Sequence, residues 1–262
     1  MQSFEANGVV TAYRSSGRGA PLVLLHGGEA DHAMFDGLAC ALNDHFTVIA
    51  YDQRDSGATR NPASPYSLTD LADDAAALIR GLGHDRADVM GTSLGGVIAQ
   101  VLAARHPDVI DRLILSSTWK VNKSPLEVNA NVFRTLASYR ADPVGNAPKI
   151  AKFFFPPDFL RDRPELIDIF RGSNRDDGQK ARRGAILAQP VAADLSNFDR
   201  PTLLLAGSED RLIPNVETFA IARDLSHVET RAIEQVGHVS SIQAPDRVAA
   251  AVIAFLNSKK AE

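Results

Sequence analysis

Cys40 is the single cysteine among 262 residues, which excludes an internal disulfide and a thiolate-built metal cluster and fits a reducing compartment. An excess of one charge is missing too, since 28 Lys and Arg stand against 32 Asp and Glu, a net charge of −4. That leaves no basic field to hold a phosphate backbone, so nucleic acid is not an expected partner. No apolar run reaches the length of a membrane span. The opening Met1-Gln2-Ser3-Phe4-Glu5 lacks the basic and apolar regions of a secretory leader. These absences predict a cytoplasmic protein with no membrane partner, and they are silent on oligomeric state. What is present, 45% hydrophobic and 23% charged residues, suits one α/β domain carrying an insertion.

Two periodicities alternate along the chain. Residues 3–14 carry Asn7-Gly8 between mildly apolar stretches, a hairpin signal that predicts an antiparallel opening to a sheet. Short apolar runs follow at 22–26 and 47–51, of the kind covered on both faces, and strand signals return at 87–90, 113–115, 202–206 and near 229–233. Between them, Leu71, Ala75, Leu78, Ile79 and Leu82 recur at helical spacing behind a candidate N-cap, Ser67. Leu94, Ile98, Val101 and Leu102 make a second stripe that stops at His106-Pro107, and Val248, Val252, Phe255 and Leu256 share the face of a closing helix. From 119 to about 199 the strand signal disappears. Helical fragments there are interrupted by Pro125, Pro143, Pro148, Pro156, Pro157, Pro164 and Pro190, which predicts a helical insertion. The alternation around it predicts an α/β fold with a parallel, doubly wound sheet, in which ligands bind beyond the carboxyl ends of the strands.

The candidate chemistry falls at those ends. Gly91-Thr92-Ser93-Leu94-Gly95 joins a strand signal to a helix signal, the context in which a G-x-S-x-G string lifts a serine above the sheet on a strained turn. Ser93 is the candidate nucleophile. A serine hydroxyl needs a base, and the base needs a third group to hold its tautomer. Asp210 follows the strand signal ending at Ala206, with Glu209 as an adjacent rival, and His238 follows the last strand signal. Their order in the chain, Ser93 then Asp210 then His238, suits this architecture. The oxyanion of acyl attack would be met by the backbone N–H of Leu94 and by that of Gly28, in the His26-Gly27-Gly28 loop. His26 is expected to fasten that loop.

In "PLVLLHGG", "YDQRDSGAT", "YSLTDLADDAAALI" and "GTSLGGVIAQVLAARHPDVIDRLILSST" the chain resembles the α/β-hydrolase superfamily, in particular its 3-oxoadipate enol-lactonases, small carboxylesterases, perhydrolases and C–C bond hydrolases. The resemblance implies the α/β-hydrolase fold: a mostly parallel eight-stranded sheet flanked by helices, with a helical lid inserted after the sixth strand. That divides the chain into a core of residues 1–118 and 200–262 and a cap of 119–199. It also implies a serine hydrolase of a small-molecule ester or lactone that uses no metal or organic cofactor. Cleavage of a ring-cleavage diketone, perhydrolysis, and a ligand receptor on the same fold are the alternatives. Aromatics are only 6% of the chain, yet Trp119, Phe133, Tyr139, Phe153, Phe154, Phe155, Phe159 and Phe170 fall in the insertion as candidate roof or lid core. Trp119, directly after a strand end, is the candidate substrate contact. Lys120, Lys123, Arg171, Arg175, Arg182 and Arg183 suit either a substrate carboxylate or a solvated face. One residue departs from the family pattern: Asp55 stands where Asp-x-Arg-Gly-x-Gly has its first glycine. If not a solvated loop acid, it adds negative charge near the site and disfavours carboxylate substrates, leaving uncharged or weakly acidic ones.

Overall fold

Asn7 and Gly8 both take left-handed backbone, with φ of 53° and 71°, and so close the predicted hairpin between β1 (Gln2–Ala6) and β2 (Val9–Gly17). The computed structural model describes residues 1–188 and 191–258; Pro190 lies outside them. β2 pairs antiparallel with β4 (Phe46–Tyr51). From there β3 (Ala20–Leu25), β5 (Ala87–Thr92), β6 (Ile110–Ser116), β7 (Thr202–Gly207) and β8 (Val228–Ile233) all run parallel. The sheet has eight strands in the order β1-β2-β4-β3-β5-β6-β7-β8.

Side-chain alternation splits the core in two. Val23 and Leu25 of β3 face α2 (Leu68–Gly81) and α3 (Leu94–Arg105), whereas Leu22 and Leu24 face α1 (Asp36–Leu42) and α10 (Pro245–Leu256). Ser67 caps α2 as predicted, in a capping box with Asp70. The stripe on α3 proves too narrow a description. Every residue from 94 to 103 is buried, because the helix is enclosed by the sheet, α2 and the insertion.

The insertion follows β6 and forms a helical lid from α4 (Pro125–Tyr139), α5 (Pro143–Phe154), α6 (Pro157–Asp162) and α7 (Asp177–Leu187). Pro125, Pro143 and Pro157 open helices rather than break them, since a first-turn residue needs no N–H partner within the helix. Ala151, Phe155, Leu160 and Leu166 give the lid a core of its own, packed on Val239 and Ile242 just after His238. After β7 come α8 (Asn215–Phe219) and, after β8, the short α9 (Ser240–Gln243).

Candidate active site

Ser93 occupies the turn between β5 and α3 with φ 56° and ψ −121°, a backbone conformation that costs on the order of 1–3 kcal/mol for a residue with a side chain. The surroundings enforce it. Ser93 N–H donates to Ser116 O at 3.0 Å, and Ser93 O accepts from Gly96 N–H at 2.9 Å and from the Thr118 hydroxyl at 2.7 Å. The flanking glycines allow chain segments to cross without a clash. A Cβ on Gly91 would lie 2.3 Å from Gly95 O, and one on Gly95 would lie 2.0 Å from Leu25 O.

Asp210 and His238 meet in the loops after β7 and β8. His238 Nδ1 donates to Asp210 Oδ2 at 2.9 Å, while the other carboxylate oxygen accepts the N–H groups of Leu212 and Ile213 at 3.0 and 2.9 Å. The carboxylate is thereby fixed in orientation, and Nε2 keeps the lone pair of the neutral ring. Phe154, at the end of α5, stacks edge-on to the imidazole with centroids 5.7 Å apart. Its carbonyl accepts His238 N–H at 2.9 Å.

The 26–28 loop lies against the same turn: a Cβ on Gly27 would sit 3.6 Å from Ser93 Cβ, and one on Gly28 would sit 3.6 Å from Leu94 Cδ2. His26 fastens it, as expected. Its buried ring donates from Nδ1 to Gly27 O at 2.8 Å and accepts Gln53 N–H on Nε2 at 3.1 Å. Burial, with the Arg183 charge adding to it, holds its pKa well below the ordinary histidine value, so the ring stays neutral and the tautomer is fixed.

Three arginines from the last part of the lid reach this loop region. Arg182 forms a bidentate pair with Asp55 at 2.7 and 2.8 Å. Arg175 donates to Asp55 O, Ser56 Oγ and Ala30 O. Arg183 donates to Gly28 O and Gln53 Oε1. Asp31, His32 and Asp52 bring three possible metal-ligating groups within 4.8 Å of one another. Both Asp52 oxygens, His32 Nδ1 and one Asp31 oxygen are engaged in hydrogen bonds: His32 Nδ1 bonds Asp52 Oδ1 at 2.7 Å, Asp52 Oδ2 accepts Ala58 N–H, and Asp31 caps Ala33, while the buried His32 Nε2 has no hydrogen-bond partner among the described residues. A cavity of about 570 Å³ opens elsewhere, between β2, β4 and α1, with Tyr13, Arg14, Cys40 and Asn43 in its walls.

The sequence profile described as alpha/beta hydrolase fold matches residues 20–245. The chain belongs to the alpha/beta-hydrolase family. This hydrolase is 28% identical over 255 residues to a candidate carbamate hydrolase, RutD, of Pseudomonas savastanoi pv. phaseolicola, covering 92% of this chain and 95% of that protein. It is 27% identical to 3-oxoadipate enol-lactonase 2 of Acinetobacter baylyi, covering 81% and 79%. The solved structure of a thermophilic esterase from Thermogutta terrifontis superposes with a TM-score of 0.82 at 27% identity, covering 98% of each chain.

Trp119 is buried three residues beyond the end of β6, its Nε1–H donating to Lys123 O at 3.0 Å and its carbonyl accepting from Gln100 at 2.8 Å. Asp55 adds no free negative charge to the site. It sits at φ 56°, where glycine would be at ease, and its carboxylate is paired with Arg182. Burial pushes its pKa up, but hydrogen bonds from Arg182, Tyr66 and Asn61 outweigh this and hold it below the usual carboxylate range. Paired in this way, Asp55 does not disfavour carboxylate substrates through its charge. Nor is Arg183 part of a solvated face, being only 5% exposed. Missed from sequence were the His32–Asp52 pair and the lid-to-loop role of the arginines; the spacings carried no signal for either.

Proposed function

We propose that this hydrolase cleaves a carboxylic ester or lactone through an acyl-enzyme, with Ser93 as nucleophile, His238 as general base and acid, and Asp210 as the group that orients the imidazole. The observation that carries this is the 2.9 Å hydrogen bond from His238 Nδ1 to Asp210, made in loops at the same edge of the sheet as the strained Ser93 turn. The enol-lactonase and esterase relatives supply the bond type.

His238 Nε2 takes the Ser93 proton as Oγ attacks the acyl carbon. The oxyanion accepts the N–H groups of Gly28 and Leu94. Its collapse breaks the acyl–oxygen bond, and the imidazolium protonates the departing alkoxide, which in a lactone stays attached to the acyl chain. Water then gives a proton to Nε2 and attacks the ester carbonyl, and the same proton returns to Ser93 as the acid leaves. Trp119 is assigned to substrate contact through the apolar face of its ring, its N–H being spent on Lys123.

Hydrolysis of p-nitrophenyl acetate and butyrate by the wild type and Ser93→Ala, with intact-mass detection of acyl adducts, tests this. Ser93→Ala is expected to lose at least about a hundredfold in kcat, with the adduct confined to Ser93 in the wild type. Retained activity in the variant overturns the assignment. A folded wild type inactive on both esters overturns the ester reading and points to C–C bond hydrolysis, for which a coloured dienol is the next substrate.

A further inference from the structure

Three successive carbonyls of the oxyanion loop are each held by a side chain. His26 O accepts from Gln53 Nε2 at 2.8 Å, Gly27 O from the His26 ring at 2.8 Å, and Gly28 O from Arg183 Nη2 at 3.1 Å. Both terminal nitrogens of Arg183 also donate to Gln53 Oε1, each at 3.1 Å. A trans peptide is planar, so its carbonyl and its N–H point in opposite directions. Fixing Gly27 O therefore aims the Gly28 N–H, and fixing Gly28 O locks the peptide that follows it. Gln53 ties the two together, since it bonds His26 on one side and Arg183 on the other.

Arg183 belongs to α7 of the lid. Burial lowers its pKa to about 10, which still leaves it charged at neutral pH. Its hydrogen-bond acceptors among the described residues are uncharged: a glutamine side chain, the carbonyls of Gly28 and Arg54, and the Tyr66 hydroxyl. A buried guanidinium gains most from a carboxylate, and Asp55 next door is taken by Arg182. A residue serving only to tie the lid down would gain more from the arrangement its neighbour already has.

We propose that Arg183 is a positioning residue of the oxyanion hole, through which the lid fixes the peptide that follows Gly28 and, by way of Gln53, steadies His26, whose ring bond to Gly27 O directs the Gly28 N–H. This rests on the serine-hydrolase function proposed above. Arg182 supplies the control, because it joins the same helix to the same part of the core yet bonds none of residues 26–28.

The test compares Arg183→Met, Arg183→Lys and Arg182→Met with wild type in p-nitrophenyl acetate turnover and in affinity for a boronic acid that forms a tetrahedral serine adduct. A misaimed donor weakens the transition state more than the ground state. Arg183→Met should lose at least about tenfold in kcat with KM within about threefold, and boronate affinity should fall with kcat/KM. Arg183→Lys, which can reach one acceptor but not both, should lose less in the same direction. Arg182→Met should keep kcat within about threefold. Equal kcat in the Arg182 and Arg183 variants, or a loss confined to KM, overturns the proposal. So does wild-type kcat in Arg183→Lys if Arg183→Met does not fold. Amide exchange over residues 26–29 gives a readout independent of turnover: faster exchange in Arg183→Met than in Arg182→Met supports the strut, and unchanged exchange refutes it. Absence of Ser93-dependent turnover in wild type would remove the hydrolase function while leaving that exchange comparison decisive for the strut.

Discussion

At the carboxyl edge of the sheet, the candidate residues are held by main chain. Ser93 is pinned through its own N–H and carbonyl, and Asp210 accepts two backbone N–H groups before it meets His238. Where α7 and the residues leading into it meet the core, three arginine side chains make the joint, through a paired carboxylate, a buried amide, a serine hydroxyl and several carbonyls. The first kind of support is dictated by steric fit at glycines and strand ends. The second depends on charge and on the identity of a few long side chains, so it can be altered by single substitutions without disturbing the sheet.

Three experiments would break or sharpen that contrast. The largest effect is expected at the sheet edge: Asp210→Asn should keep the fold but present the wrong hydrogen-bonding partner to His238 Nδ1, lowering kcat by about ten-thousandfold. A small loss there would mean that the imidazole is oriented by something other than Asp210. Next, Gly95→Ala places a methyl 2.0 Å from Leu25 O and should cost about 3 kcal/mol, a fall in Tm on the order of 6 °C, seen by calorimetry. Wild-type stability in that variant would show that the turn is not sterically enforced. The smallest effect is expected at the lid: Asp55→Asn keeps a side chain suited to left-handed backbone but removes the pair with Arg182, at a cost of about 1–2 kcal/mol. Because the folded Asp55 has a depressed pKa, its contribution is present above about pH 4 and is lost as pH falls through the folded value. The variant should accordingly lack that part of the acid-side decline in Tm. An unchanged acid limb would show that the pair adds no stability.

The sheet edge was legible because its constraints are local. Asn7-Gly8 could form a hairpin turn with little strain, Gly91 and Gly95 allowed the crossing around Ser93, and Asp210 and His238 followed strand signals at once. The strand signals and the strandless stretch from 119 to about 199 are legible in periodicity and in the prolines, whereas the named fold and the insertion's place as a lid follow from the resemblance. α3 was read too narrowly, although Gln100 is the one polar side chain between Leu94 and Ala103, which points to a helix enclosed on every side. The arginines were not legible. A guanidinium looks the same in sequence whether it faces water or a buried carbonyl, and Arg183 meets Gln53 and Gly28 only because the fold brings α7 over the loops after β3 and β4. Asp55 stands out in the sequence by its departure from a glycine pattern, but the partner that compensates it lies 127 residues away.

The bond from His238 N–H to Phe154 O has a different standing under sequence drift from the arginine joint. It is made by atoms every residue type possesses, save that proline could not donate at 238, so replacing Phe154 alters the ring beside the imidazole and leaves the attachment available. The arginine joint has no such insurance. Over evolutionary time the lid is expected to stay moored beside the histidine while its mooring beside the oxyanion loop is free to be lost, exchanged or rebuilt, making that end the more responsive place to graft a lid from a relative.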